Sequence, residues 1–189
     1  MAAPFRRNWL FTGAPGDELN ACVGNNGGPY DLYDYAHGYF EAMRLLVRDA
    51  SEPGIVIDTL VYPICFTFRH ALELYTKYMI SDLARATRRG VSYRTNHTIF
   101  ENWRVAMDLA ASVGLKMDAS DREYMDSVVL AIEEVDPNGQ TFRYPESIKG
   151  DQHLAEWSII NLAVVSSAYE RTFAVARKWH YQIEGLLGR

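Results

Sequence analysis

The sequence predicts an all-α protein, a single-domain bundle of about five helices, two of them long. Apolar residues recur at intervals of three and four in five separate segments, the spacing of one helix face. Pro, Gly, Asn and Asp cluster between these segments and mark turns. No run alternates between apolar and polar residues as a half-buried strand does. With 189 residues, the chain is long enough for one domain with a substantial core and too short for two comfortable ones.

The N-terminal stretch, residues 1–28, contains Gly and Pro repeatedly and shows no sustained period. We therefore expect an arm or loop there, followed by a helical bundle domain over residues 29–189. The first helix of that domain is predicted over residues 30–50, where apolar side chains recur at helical spacing and Pro29 suits the first turn. The SEPG tetrapeptide at residues 51–54 ends it.

The second predicted helix, over residues 55–88, is one of the two long members. Arginines lie in its last turn, where the helix macrodipole favours cations, and Gly90 follows. Pro63 is expected either to kink the helix or to start its regular part. Cys65 lies within the apolar stretch and is expected to be a small core residue.

Three further helices complete the predicted bundle. Their bounds are residues 98–113 for the third, a start at Asp118 or Ser120 for the fourth, and Asp151 into the 180s for the fifth. Gly114 closes the third helix, and the DPNG turn at residues 136–139 follows the fourth. The fifth rests on Leu154, Trp157 and Ile160, which recur at helical spacing.

A polar arc interrupts the apolar character of the second helix. At about 100° per residue it contains Arg69, His70, Glu73 and Lys77. Large apolar residues such as Phe66 bracket the arc on the same side, and a face of that kind is more often covered than bare. We expect Glu73 to neutralise Arg69 or Lys77, because a buried charge without a partner is costly. The alternative is a solvated face with an ordinary i,i+4 pair.

Composition and motifs exclude several classes of function. The formal net charge of −5 and the pI of about 5.5 argue against a broadly basic nucleic-acid surface. Two cysteines form neither a disulfide framework nor a zinc spacing. No Gly-x-Ser-x-Gly elbow, P-loop or Gly-x-Gly-x-x-Gly occurs. Without a signal-peptide or membrane-length apolar run, we expect a cytoplasmic protein with no membrane association.

No metal or other cofactor is expected. Metal sites of the di-iron type in helical bundles use Glu-x-x-His pairs, and none occurs here. A mononuclear site formed by His37, His70 and His97 stays a minor alternative, because a lone helix histidine is more often a hydrogen-bonded structural residue than a ligand.

Three groups of residues combine a cation or an imidazole with aromatic rings. They are Arg69 with His70, the RTNH group of Arg94 and His97, and FRYP at residues 142–145. Such groups suit an RNA or phosphate site. Metal-free RNA cleavage needs a group that activates the 2′-hydroxyl and a cation that holds the phosphate. The alternative for Arg143 is a structural role, in which it donates hydrogen bonds to carbonyls of an irregular loop.

Three phrases in this order resemble a bacterial group of HEPN-like (higher eukaryotes and prokaryotes nucleotide-binding) helical proteins. They are FRHALELYTKYMI at residues 68–80, NHTIFENW at 96–103 and FRYP at 142–145. The resemblance implies a compact helical bundle that often dimerises. It also implies a superfamily rich in metal-independent endoribonucleases of toxin, CRISPR-associated and phage-defence systems, with non-catalytic members that bind nucleotides or partners.

The chain departs from the catalytic pattern of that superfamily, which is Arg-x(4–6)-His on a late helix. Eight residues separate Arg88 from His97, seven separate Arg89 from His97, and two separate Arg177 from His180. The resemblance therefore leaves two readings open. Either the protein is a non-catalytic branch, or its site is assembled from the other matched positions.

The resulting expectation is a HEPN-like protein of a bacterial defence or toxin–antitoxin type system that binds or cleaves RNA. The predicted catalytic residues are Arg69, His70, His97 and Arg143, and the predicted ligand-binding residues are Glu73, Lys77 and Tyr144. His70 or His97 would be the acid or base, while the two arginines would hold phosphate. The expected partners are a second copy of the chain, RNA or a nucleotide, and a cognate protein.

Two alternatives accompany this expectation. In the first, the chain is a non-catalytic dimeric interaction or regulatory module, which the missing Arg-x(4–6)-His motif favours. In the second, the polar arc of the second helix is covered by the start of the His97 helix and by the FRYP loop, but the resulting network only pins the loop to the bundle and binds no ligand.

Overall fold

A computed structural model describes residues 8, 10–14, 16, 19–50, 52, 54 and 56–188. The chain divides into two compact units, Met1–Tyr30 and Asp31–Arg189. The described part of the first unit consists of turns and irregular backbone. Within it, the Asn20 amide makes two hydrogen bonds with the Ala14 backbone, donating to the carbonyl at 2.6 Å and accepting from the N–H at 2.9 Å. These bonds close a small loop.

The described residues of the second unit form five α-helices, which confirms the all-α bundle. They are α1 (Leu32–Ala50), α2 (Ile57–Thr87), α3 (Ile99–Ser112), α4 (Ala119–Val135) and α5 (Leu162–Leu187). Helix α2 is central, since it packs against α1, α3 and α5. Between α4 and α5, one isolated antiparallel bridge joins Glu146 and Gln152. Among the described helices, none has the length and apolar character that crossing a membrane requires.

The core forms along the apolar side of α2. Phe68, Leu72, Tyr75 and Met79 are buried there, as their spacing predicts, and so is Cys65. The buried apolar side of α2 does not extend to the first turn of the helix, because Ile57 is 50% exposed. The rings of Trp103 from α3 and Trp179 from α5 stack at 6.2 Å between centroids and complete the core on the far side.

Helix α1 begins after Pro29, not at it. The Asp31 carboxylate accepts hydrogen bonds from the backbone N–H groups of Tyr33 and Asp34, at 2.7 and 3.1 Å. The Asp34 carboxylate accepts from the Asp31 N–H at 2.8 Å in return. This reciprocal arrangement is a capping box, which satisfies N–H groups that a helix start leaves without partners. The prediction of a start at residue 30 was therefore early by two residues.

The start of the fifth helix was predicted wrongly. Residues 151–161 are irregular, and α5 begins at Leu162. Leu154 has a φ of 58°, in the left-handed region that an α-helix excludes. The Asn161 side chain then accepts from the N–H groups of Ala163 and Val164 and caps the helix. The long segment between α4 and α5 is consequently a loop that packs beside α2.

Candidate functional site

The polar arc of α2 is buried. Arg69 and Glu73 are each 2% exposed and Lys77 is 7% exposed, whereas His70 is half-buried. The cover comes from two connections: the one between α2 and α3, which contains His97, and the turn that follows α4. The expectation of a covered arc is confirmed, and the alternative of a solvated face is wrong.

Glu73 pairs with both cations of the arc. Its Oε2 accepts from Arg69 Nη1 at 2.7 Å, and its Oε1 accepts from Lys77 Nζ at 2.7 Å. The cations lie one helical turn before and one turn after it, so the helix geometry itself brings all three together. We call Arg69, Glu73, Lys77 and Asp136 the buried ion network.

Arg69 also fastens both covering connections. Its Nε donates to the Asp136 carbonyl at 2.9 Å, and its Nη2 donates to the His97 carbonyl at 2.6 Å. The Asp136 carboxylate adds a second negative charge, with Oδ2 3.2 Å from Arg69 Nε and Oδ1 accepting from the Thr141 N–H at 3.0 Å. Oδ2 makes an ion pair without a hydrogen bond, because the Nε proton points to the carbonyl. All three guanidinium nitrogens are therefore engaged.

The DPNG turn lies directly against the Arg69 guanidinium. Gly139 has a φ of +73°, and a Cβ at this position would lie 3.0 Å from Nη1 and 3.1 Å from Cζ. A side chain here would need a left-handed backbone and would also collide with a group that three hydrogen bonds hold in place. Glycine adopts a positive φ without strain and has no Cβ, so the turn can pack against the Arg69 guanidinium and cover the network.

The network balances its charges and keeps Glu73 ionised. Burial works to raise the pKa of the Glu73 carboxyl, but the hydrogen bonds and charges of Lys77 and Arg69 outweigh it and lower the pKa to about 2. Two cations face two carboxylates, Glu73 and Asp136. The network is thus a closed set of ion pairs, of the kind that is costly to break from one side.

His97 stands at the edge of the network. Its Nδ1 lies 3.0 Å from Glu73 Oε1, and its side chain is 48% exposed. An ionised carboxylate can only accept, so Nδ1 carries the proton and donates. In the neutral ring Nε2 is then an acceptor. A buried carboxylate that fixes the tautomer of an accessible imidazole is the arrangement that general-base histidines use.

A row of rings runs beside the network. The Tyr39 and His70 rings contact each other edge to face, with 4.5 Å between their centroids. The His70 ring stacks on the Phe66 ring, with 5.6 Å between their centroids. The Cζ atom of Arg143 lies 5.8 Å from the Phe66 centroid and 5.5 Å from the Tyr144 centroid. We call these five residues the aromatic row. It joins α1, α2 and the FRYP loop.

His70 and Arg143, the two nitrogen-bearing side chains of the row, differ in how they are held. Burial is the largest cause that lowers the pKa of His70, and the charges of Arg69, Lys77 and His97 lower it further against the effect of Glu73. His70 is therefore neutral at neutral pH. Arg143 donates from Nε to the Gly139 carbonyl at 2.6 Å, as the structural alternative for this residue requires. Its terminal nitrogens have no hydrogen-bond acceptor within the described part of the chain.

The structure thus sorts the predicted site residues into two neighbouring groups. Arg69, Glu73, Lys77 and His97 meet in or at the buried ion network, while His70, Arg143 and Tyr144 belong to the aromatic row. Gly139 links the groups, since its Cα lies against Arg69 and its carbonyl binds Arg143. Sequence reasoning missed Asp136, which was assigned only to a turn.

The metal alternative gains nothing from these positions. His37 contacts Tyr33 and Phe173, whereas His70 contacts Tyr39 and Phe66. Over the residues that the structure describes, no three His, Cys, Asp or Glu side chains are grouped in a way that could hold a metal ion. His37, His70 and His97 therefore form no metal centre in this structure.

Comparisons of the chain with protein-family models, with curated proteins and with solved structures give no match. The likeness to HEPN-like proteins rests on the three phrases of the sequence quoted above.

Proposed function

We propose that the chain is a HEPN-like RNA-binding protein of a bacterial defence or toxin–antitoxin type system, and that it cleaves RNA without a metal ion, with His97 as the general base. The observation that carries the proposal is the Glu73–His97 pair. A carboxylate that stays ionised holds Nδ1, and the imidazole itself is 48% exposed. Such a ring can take the proton of a ribose 2′-hydroxyl.

The aromatic row supports the binding part of this proposal. Single-stranded RNA is bound by stacking its bases on aromatic rings and arginine planes. Tyr144 is 53% exposed and Arg143 is exposed beside it, so both are accessible to a base or a phosphate. The terminal nitrogens of Arg143 would hold the phosphate of the bound strand.

The contacts favour a changed role for Arg69. All of its nitrogens donate to protein acceptors, and the side chain is 2% exposed. We therefore assign Arg69, Glu73 and Lys77 to positioning: they fix the loop that carries His97 and keep its partner carboxylate ionised. Phosphate contact would fall to Arg143.

The test is cleavage of total RNA and of labelled tRNA by the purified, chelator-treated protein. His97→Ala should lower the rate by about 100-fold or more, because general-base catalysis contributes that much. His37→Ala is the matched control, since His37 is a half-buried helix histidine with ring contacts of its own. Cleavage by His97→Ala at the wild-type rate would overturn the catalytic role.

A second candidate is a non-catalytic dimeric interaction module. It is favoured by exposed apolar side chains near the start of α2, in the segment before α5 and in the first turn of α5: Val56, Ile57, Tyr62, Trp157, Ile159 and Val164. Light scattering would measure the oligomeric state of the wild type and of Ile159→Asp. A dimer that dissociates in the variant would favour this candidate. Absence of RNA binding at low salt would favour it too, because binding to phosphate is strongest at low salt.

A further inference from the structure

A cavity lies beside the aromatic row, between α2 and the loop that follows the FRYP phrase. Its volume is about 330 Å³, and its lining includes Tyr62, Phe142, Arg143, Tyr144, Gln152 and His153. Aromatic rings form much of the wall, and among the described residues that line it there is no Asp or Glu. Within that part of the chain, its ionisable groups besides the phenols are a guanidinium and an imidazole. The cavity is therefore suited to an anion that is attached to an apolar or planar group.

Arg143 is preorganised for such an anion. Its Nε–H is bound to the Gly139 carbonyl at 2.6 Å, which fixes the plane of the guanidinium, and the rings of Phe66 and Tyr144 lie within 5.8 Å of its Cζ. The two terminal nitrogens have no acceptor among the described residues. A guanidinium held in this way offers parallel N–H donors to two oxygens of one anion and loses little side-chain entropy when it binds.

His153 supplies a second polar group. Its backbone N–H donates to the Pro145 carbonyl at 2.9 Å, which ties the two ends of the loop together. Its Nε2 is buried and makes no hydrogen bond within the described residues. A buried polar atom without a partner is uncommon in folded proteins and indicates a ligand or a water that completes it. The ring also lines the cavity, so a ligand held there is one such partner.

The next residue carries backbone strain. Leu154 has a φ of 58°, in the left-handed region where a branched side chain is strained. Strain of this kind clusters at ligand-binding positions, where the surrounding structure enforces it. Here it lies in the cavity wall and directly follows the unpartnered imidazole.

We propose that this cavity binds a phosphomonoester, with Arg143 and His153 as the donors and Tyr62 and Tyr144 packing against the group that carries the phosphate. A phosphomonoester has a charge near −2 at neutral pH, which suits a guanidinium and an imidazole N–H donor in a wall whose described residues include no carboxylate. A carboxylate brings half of that charge. The ligand is either a small molecule or the terminal phosphate of an RNA strand, and only the second source rests on the proposed function.

Calorimetric titration of the full chain with phenyl phosphate tests the site, with benzoate as the carboxylate of matching ring. Saturable binding of phenyl phosphate is expected, and Arg143→Lys and His153→Gln should each weaken it by about tenfold, because lysine lacks the planar fork and the glutamine amide does not reproduce the position of the imidazole nitrogen. Arg48→Lys, in an exposed pair with Asp49, should bind as the wild type does. Absence of saturable binding, equal binding of benzoate, or unchanged binding by both site variants would overturn the proposal.

A short RNA with a 5′-phosphate, compared with the same RNA ending in a 5′-hydroxyl, distinguishes the two sources. Tighter binding of the phosphorylated strand, lost in His153→Gln, assigns the site to strand ends. Equal binding of the two strands, while phenyl phosphate still binds, assigns it to a small molecule. RNA binding without any binding of phenyl phosphate overturns this site and leaves the proposed function standing.

Discussion

The buried ion network and the aromatic row both contain an arginine, and the two arginines make different use of their hydrogen-bond donors. Arg69 and His70 are adjacent in the sequence, yet Arg69 belongs to the buried ion network and His70 to the aromatic row. Every nitrogen of the Arg69 guanidinium donates to protein, whereas Arg143 in the row uses only Nε. The two arginines therefore differ in the number of guanidinium nitrogens that lack a protein acceptor, and only such nitrogens can bind a ligand.

Burial explains the division. Taking a charge out of water costs several kcal/mol, so a buried arginine persists only where its donors are all satisfied. All three Arg69 nitrogens are for that reason bonded, to the Glu73 carboxylate and to two backbone carbonyls. Residues of the row are only partly covered, and water can complete them until a ligand does. The network should therefore control stability and the row should control binding.

Breaking the network from one side should have the largest effect. Arg69→Met leaves Glu73 and Asp136 without their shared cation in a buried place, and we expect a loss of about 3–5 kcal/mol in the free energy of unfolding. Urea denaturation measures it. The control Arg44→Met breaks an exposed pair with Glu41 and should cost far less, because solvent screens an exposed ion pair. Similar losses in the two variants would mean that the network does not hold the fold.

The second-largest effect is expected from acid, which should weaken the buried ion network. The pKa of Glu73 in the folded protein, about 2, is below its ordinary value of 4.5, so the stabilisation is complete above that ordinary value and is lost as the pH falls from about 4.5 towards 2. The shift corresponds to about 3 kcal/mol. Denaturation curves across this pH range should show a shallower acid dependence for Glu73→Gln than for the wild type. Glu101→Gln, which removes an exposed partner of Arg94, should keep the wild-type slope.

The contact between Gly139 and Arg69 can be isolated with a pair of glycine substitutions. Gly139 and Gly114 both have positive φ, but a Cβ at Gly114 would have no atom within 4 Å. Gly139→Ala should therefore cost about 1–3 kcal/mol more than Gly114→Ala, because the Arg69 guanidinium is fixed and cannot move aside. Thermal unfolding of both variants gives the difference. Equal costs would show that the guanidinium yields.

The smallest effect on stability, and a selective effect on binding, is expected in the aromatic row. Tyr144→Ala should leave the free energy of unfolding within about 0.5 kcal/mol, since Tyr144 is 53% exposed. The affinity of the Tyr144→Ala variant for single-stranded RNA should fall about tenfold, because one stacked base contributes about 1–3 kcal/mol. Tyr181→Ala removes a tyrosine that is 64% exposed on α5 and serves as the control. Fluorescence anisotropy with a labelled oligonucleotide would detect the difference, and equal affinities would argue against the row as the binding surface.

Helix periodicity was sufficient to predict much of this arrangement. The spacing of Arg69, Glu73 and Lys77 places them on one arc, and the cost of burying an unpaired charge requires that they pair. The large apolar residues that bracket the arc also predicted that it is covered. These inferences hold because they depend on residues within a few turns of one helix.

Two features were beyond local reasoning. Asp136 lies 67 residues after Arg69, and its Asp-Pro-Asn-Gly context indicates a turn, which it is, without indicating what its carboxylate binds. The false helical spacing of Leu154, Trp157 and Ile160 arises in a loop whose side chains pack irregularly. Asn161 could have corrected that boundary, because an asparagine ahead of a periodic run is a recognised helix start.

One side chain closes two long loops at the same point of the fold. Arg69 binds carbonyls that lie 28 and 67 residues further along the chain, so three distant segments converge on a single guanidinium. Each closure has its own entropy cost, and because that cost grows only slowly with loop length, the longer connection is little more costly to close than the shorter one. We therefore expect amide hydrogens near His97 and near Asp136 to exchange with solvent together, as one cooperative unit, even though they are 39 residues apart.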